Sequence, residues 1–501
     1  MVRAIPPARP GEPYLIPHFG GGVDEGTSLL DLPPYVASSI SNVDYPRHPA
    51  MSVRAGMTAL NSMLLGSPSQ ITGLYDVGFS GGTRALLAKC TTVLYKWNTT
   101  TSVFDSKKES LTAGNVRFET YKDTVIMVGP DAPLKSTDGA TWAALGGTPP
   151  TAKYIAVHEN RVFLANKASN ESTVYASALD NPEDWTTVTG SGASGSFPVN
   201  TNDGTVITGL WTLPGVGRLL IGKERALYRL YGTGPNNFTA EFVSTRAGPV
   251  NQEAGVVTPD GRFYYLGHDG IYLLPQYGAP RQIQRPVQVT FDTRNATDYK
   301  ARSTAIYTTK DGVERIMFAI PTGTGSVPST LLVLYPQFTY PGYPDGIWSI
   351  WSTVANAYMP CGSGGVQLAS VDYLAWGDHY GTVWKALTGT TDGGNAIFWN
   401  RVSGALGLGR PDVEHYLESI HPMARTETSG TLYVDYAMSI AGAFPGVLAS
   451  MNLATETPVK RIPCPFTVGG AVRGYAARLK LLGVAAPATV ENVTVRVRRG
   501  D

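Results

Sequence analysis

The stretch Arg161–Ala176, RVFLANKASNESTVYA, decides the fold. Its first part, RVFLAN, is an apolar run opened by an arginine. Its last part, TVYA, opens the run TVYASA with Val174 and Tyr175, and a polar KASNES lies between. Short runs of β-branched, aromatic and leucine residues, bounded by Asn and Ser, form two antiparallel strands joined by a turn.

Outward from this unit the same pattern returns. The leading run recurs as ALLAKC from Ala85, TVIMVG from Thr124, RLLIGK from Arg218, RFYYLG from Arg262, RIMFAI from Arg315 and YLAWGD from Tyr373. Answering strands carry an aromatic at a fixed place: Tyr95, Tyr175, Tyr228, Tyr272, Tyr335 and Trp384. The Thr124 unit departs, with only LKSTDGATW to answer it. Successive copies begin 37 to 58 residues apart, and the clusters PDG at Pro259, HDG at His268 and KDG at Lys310 supply turns. Units of that size predict propeller blades, whose apolar faces only neighbouring blades can cover, so that the units close into a ring. The expected fold is therefore all-β, a β-propeller of about seven blades over residues 67–392.

Two stretches lie outside the ring. Residues 1–66 read as an extended N-terminal arm holding Pro7, Pro10, Pro13 and Pro17, with a short helix expected in PPYVASSI, where Pro33 and Pro34 suit a first turn. Such an arm is expected to leave its own propeller and lie along another subunit or an adjoining protein of its assembly. Residues 393–501 carry longer strands, among them GTLYVDYAMSI and ENVTVRVRRG, and predict a C-terminal β-sandwich-like domain. Arg84, Arg161, Arg218, Arg262 and Arg315 precede or open repeat strands, and their planar guanidinium groups are expected to hold nearby carbonyls or carboxylates.

Composition narrows the function. Charged residues make up 16% of the 501, against roughly 25% in an average soluble domain, and a net charge of +1 gives no global field for nucleic acid or an anionic membrane. Glycine (56) and proline (36) are in excess, as a turn-rich chain needs. Cys90, Cys361 and Cys464 are too scattered for a disulfide framework or a zinc site, and fit buried thiols of a protein made in reducing cytoplasm. No signal sequence or membrane span is expected.

The seven histidines show no metal-binding spacing, and no nucleophile elbow, phosphate loop or dinucleotide fingerprint occurs, so neither a metal nor a cofactor is expected, and no catalytic residue. STDGATW, Ser136–Trp142, approaches the Asp-box turn of sialidase-like propellers but is one residue short; its Asp is expected to bind turn amides and its Trp to pack between blades. Glu224, Asp269 and Asp378 offer carboxylates for an acid/base pair, and the nine tryptophans a sugar platform, which keeps a carbohydrate-binding or carbohydrate-active propeller as the alternative. Turn capping and packing between blades are the plainer uses of these residues. The basic tail RVRRG, Arg496–Gly500, with Arg473, Arg478 and Lys480, fits either a DNA-touching face or an edge strand guarded by charge, and the guarded edge is the preferred reading.

Three segments together resemble one family. HFGGGVDEGTSLLDLPPYVASSISNVDYPRHPAMSVRAG has F-x-G-G, L-P-P-x-x-A and Asn-Val-Asp ahead of Arg-x-Gly. AKYIAVHENRVFLANKASNESTVYASALDNPEDWTT has an Arg-led strand followed by a turn ending in Asn-Pro-Glu-Asp-Trp, and the segment from Arg218 to Leu274 looks like two further blades. These segments, about a quarter of the chain, are similar to the tail tube, nozzle or hub proteins of short-tailed bacteriophages. The resemblance implies a virion structural protein and not an enzyme: a ring, usually of six copies, below the portal and its adaptor, with a tail needle or fibres attached and genomic DNA passing at ejection. It implies a place in the virion tail after synthesis in the host cytoplasm. A conduit should not grip phosphate, so neutral or acidic lumen residues are expected, with Asp203, Glu224, Asp260, Asp269 and Asp378 as candidates. After Asn395 no match to the family is found.

Overall fold

A computed structural model describes residues 14–407 except 67, 191, 216, 245, 246, 354–358, 361–364 and 369–372. Beyond Gly407 it describes 415–425, 431–438, 444, 449–453, 462, 463, 473, 474, 476–484 and 489–499. Six four-stranded antiparallel sheets follow one another in chain order over 71–108, 117–144, 154–198, 207–244, 255–282 and 304–351. The seventh takes Val366–Leu368, Tyr373–Gly377 and Val383–Ala386 from late in the chain, and its fourth strand, Met57–Ala59, from the N-terminal segment. Trp384 pairs with Ala59 and Ala386 with Met57, so the ring of blades 1 to 7 is closed by strands from both ends of the propeller.

Every repeat run falls on the second strand of its blade. That strand has a sheet neighbour on each side and a blade against each face, so apolar alternation disappears. In blade 3, Val162, Phe163, Leu164 and Ala165 are all fully buried. The blades then stack through shared cores: Val77, Leu87, Phe118 and Trp142 fill one seam, Trp211, Phe263 and Tyr265 another. In the LKSTDGATW turn Asp138 Oδ1 accepts from the amides of Ala140 and Thr141 at 2.7 Å, and Trp142 meets Phe118 edge-on in the seam, as its sequence suggests.

Two larger sheets build the β-sandwich. One joins Val43–Asp44, Met51–Val53, Thr489–Arg499, His415–Ala424 and Ile462–Pro463 in that order, with Tyr14–Ile16 also on Thr489–Arg499. The other joins Ala37–Ser41, Phe398–Ser403, Ala476–Val484, Thr431–Ala437 and Ala449–Asn452. Ile16, Leu417, Ile420, Leu432, Leu481, Val493 and Val495 are buried in the core they share.

Two expectations are corrected here. PPYVASSI forms no helix: Val36 N bonds Pro33 O in a turn, and Ala37–Ser41 is a strand paired to Ser403–Asn400. The N-terminal segment does not leave its own chain over residues 14–66, because its strands complete both sandwich sheets and blade 7. The basic tail keeps an open edge among the described residues: Thr489–Val495 has Met51–Val53 and Tyr14–Ile16 on one side and His415–Ala424 on the other, whereas Arg496–Arg499 pairs only with His415–Ser419, as the guarded-edge reading expects.

The strand-leading arginines behave largely as expected. Arg161 donates to Ser177 O and Ala193 O at 2.8 and 2.6 Å. Arg84 pairs with Asp76, Arg262 with Asp260 and Glu314, and Arg315 with Asp44. Arg218 instead lies over the Tyr231 ring at 5.0 Å.

Candidate functional site

In an antiparallel four-stranded blade the turns between strands 2 and 3 and the blade-to-blade connectors emerge at one end, here called the connector face. Asp203, Glu224, Asp269 and Asp378 all lie on such segments; Asp260, between strands 1 and 2 of blade 5, lies at the opposite end. The five candidates therefore do not share a face.

Nor are they free charges. Asp203 holds the buried Lys223 ammonium at 2.6 Å, and Glu224 pairs with Lys300. Asp269 accepts from the Tyr272 hydroxyl at 2.7 Å, and Asp260 accepts from Arg262 Nε at 2.6 Å. Asp378 is only 1% exposed. Its Oδ1 accepts from the amides of Tyr380 and Thr382, and its Oδ2 from Trp384 Nε1 at 2.8 Å. Burial pushes its carboxyl above the usual range despite those donors. Asp378 thus braces blade 7 and cannot line a channel. Glu224, Asp269 and Asp378, the acid/base candidates, are each engaged by a separate partner.

A position that the sequence displays but its reading missed is the last residue of the repeat run. Cys90 Sγ donates to Leu65 O and Ser69 O at 3.2 Å, Asn166 Nδ2 to Ile207 O at 2.7 Å, and Lys223 Nζ to Val199 O and Asn200 O at 3.1 and 2.8 Å. In blades 1 and 4 a buried donor at this register fastens the incoming connector, and in blade 3 it holds the first strand of blade 4. Burial raises the Cys90 thiol to about 11, so it remains a protonated donor. Cys361 and Cys464 lie outside the described residues.

On the connector face, where blades 2, 3, 5 and 6 begin, opens a cavity of about 450 Å³. Arg117, Lys153, Glu253 and Lys300 bring its charges, and Tyr154, Val250 and Pro130 its apolar wall. Arg117 Nε stands 2.7 Å from Glu253 Oε1, whereas exposed Lys153 reaches Glu171 only at 3.8 Å. Asn251 Nδ2 shapes the rim by donating to Lys300 O and Ser303 O at 2.7 and 3.1 Å. Glu119, two residues beyond Arg117 on the innermost strand of blade 2, has its carboxyl pushed up to about 7 by burial. Among the described residues no group of three or more His, Cys, Asp or Glu side chains is placed to hold a metal ion, and no helix is long and apolar enough to cross a membrane.

The residues of the opening motifs meet in a second place, the joint between propeller and sandwich. Asp44 takes Arg315 Nε and Nη2 at 3.1 and 3.0 Å and the Tyr335 hydroxyl at 2.7 Å. Arg54 donates to Asn42 Oδ1, Ser352 O and Asp392, and Asn42 reaches Phe398 O at 2.8 Å. Gly22 turns with φ +69 where a Cβ would stand 2.7 Å from Trp348 O, so the F-x-G-G glycine is required by close backbone approach. Phe19 is fully buried beneath the Arg401 guanidinium, 4.6 Å away.

No family model and no curated protein matches the sequence. Among solved structures the chain is similar to the extracellular domain of a hybrid two component system from B. thetaiotaomicron, at 10% identity and TM-score 0.45, covering 66% of this chain and 40% of that one. It is also similar to streptogramin B lyase, at 12% identity and TM-score 0.42, covering 66% of this chain and 97% of that one. The propeller assignment stands on the seven blades themselves.

Proposed function

We propose that this chain is a structural, non-catalytic virion protein: a nozzle or hub subunit that assembles as a ring, of about six copies, in a short bacteriophage tail beneath the portal and its adaptor, and surrounds the path of the ejected genome. One observation carries the reading. The residues that bear the family resemblance are those that bind propeller to sandwich: Gly22, Asn42, Asp44 and Arg54 at the joint, while Trp185 of the Asn-Pro-Glu-Asp-Trp turn closes on Pro182 O at 3.0 Å. Their charges and donors are spent on rigidity.

The cavity of the connector face bears on the path such a genome would take. About 450 Å³ is the size of a small-molecule site, which supports a ring whose bore lies between subunits over one that runs along a single propeller axis. The surface facing that bore is expected to be neutral or acidic, since each lysine or arginine on phosphate adds a salt-sensitive drag. Solution mass of the purified chain, alone and mixed with a portal–adaptor assembly, tests the reading. Closed multiples of 53.5 kDa, alone or on the adaptor, are expected; a chain that stays monomeric in both settings and hydrolyses a glycan would replace it with the carbohydrate-active alternative.

A further inference from the structure

The connector face carries more than the proposed virion role uses. Its cavity joins three cations, Arg117, Lys153 and Lys300, to an apolar wall. Glu253 compensates Arg117 and Glu224 compensates Lys300, but Lys153 is exposed with one loose contact at 3.8 Å. Beside this cluster, buried Ser303 Oγ and Gln252 Oε1 have no hydrogen-bond partner among the described residues, and a buried polar atom left so costs about 1–3 kcal/mol unless water or a ligand meets it.

The surface continues from there. Arg302, next to Ser303, bonds Gln70 Oε1, and this brings in the connector 60–70. On it Met63 is 73% exposed and Leu64 54%, with Tyr380 of blade 7 at 45%. Asn61 Nδ2 ties them together by donating to both Met63 O and Gly381 O. Exposed large apolar side chains grouped on the same face as one loosely paired lysine mark a protein contact more than a solvated loop.

We propose that the connector face docks an extended acidic–apolar peptide segment of a partner protein, with a carboxylate side chain entering the mouth at Lys153 and apolar side chains lying on Met63, Leu64 and Tyr380. Charge complementarity selects this occupant: the mouth offers donors and one loosely held cation, while Glu253 and Glu224 are engaged by Arg117 and Lys300. The proposal stands whether or not the chain belongs to a virion.

Fluorescence polarisation of the intact chain with a labelled peptide of alternating glutamate and leucine tests it. Saturable binding is expected, weakened at least tenfold by Lys153→Glu and, separately, by Met63→Asp; both positions are exposed, so circular dichroism should match the parent. A peptide of alternating lysine and leucine should not bind, and free succinate should not compete at equal concentration. Equal binding of the lysine peptide, indifference to both substitutions, full competition by succinate, or no binding at all would each overturn the proposal.

Discussion

The propeller and the joint hold themselves together by opposite means. A blade is stabilised by neighbours close in sequence: the paired strands of blade 3 lie within residues 154–198, and the seams are apolar. The joint depends on buried charges from distant parts of the chain, Asp44 with Arg315 and Arg54 with Asp392, at exposures of 5% or less. In the first, loss of one contact leaves many; in the second, loss of one partner strands a charge without water. The N-terminal segment is therefore the element whose failure separates the two regions.

The largest effect follows at the joint. Asp44→Ala should cost about 3–5 kcal/mol, because Arg315 stays buried and unpaired, and calorimetry should then show the propeller and the sandwich melting apart where the parent melts once. The double variant Asp44→Ala/Arg315→Met should lose clearly less than Asp44→Ala alone; equal losses would mean that the pair is not the latch.

Within the propeller a titrating group gives a smaller effect. The folded Glu119 carboxyl titrates near 7, above its ordinary 4.5. The folded state thus binds more protons between these values, and stability falls as pH rises from about 4.5 to 7. Glu119→Gln should remove that loss, stabilising the chain by on the order of 1–3 kcal/mol at pH 8 and leaving it unchanged near pH 4. Urea midpoints at the two pH values check the sign.

The smallest effect separates exposed from buried pairing. Arg84, 38% exposed, pairs with Asp76 inside one hairpin, and Arg84→Ala should cost about 0.2–1 kcal/mol, fading in high salt. A loss as large as at Asp44 would erase the distinction between the regions.

The same contrast governs what the sequence displays. Seven blades are legible because each second strand is buried on both faces, so RVFLAN and its fellows are nearly continuous apolar runs with turn residues beside them. The joint is not, because Asp44 and Arg315 lie 271 residues apart and no local pattern couples them. Pro33–Pro34 reads equally as a helix start or a turn, and only the waiting edge of Phe398–Ser403 makes the following residues a strand. Asp378 caps its turn as the plainer reading has it, but its burial is not legible: its partner Trp384 belongs to the next strand, and a turn carboxylate looks exposed until that ring is placed over it.

The position of the chain in a particle tests the assembly reading most directly. Gold-labelled antibody against the exposed Tyr277 turn, applied to purified short-tailed virions, is expected to mark the single tail vertex, several grains deep around its axis. Particles that stay unmarked, while the chain is recovered free from the lysate, would contradict it.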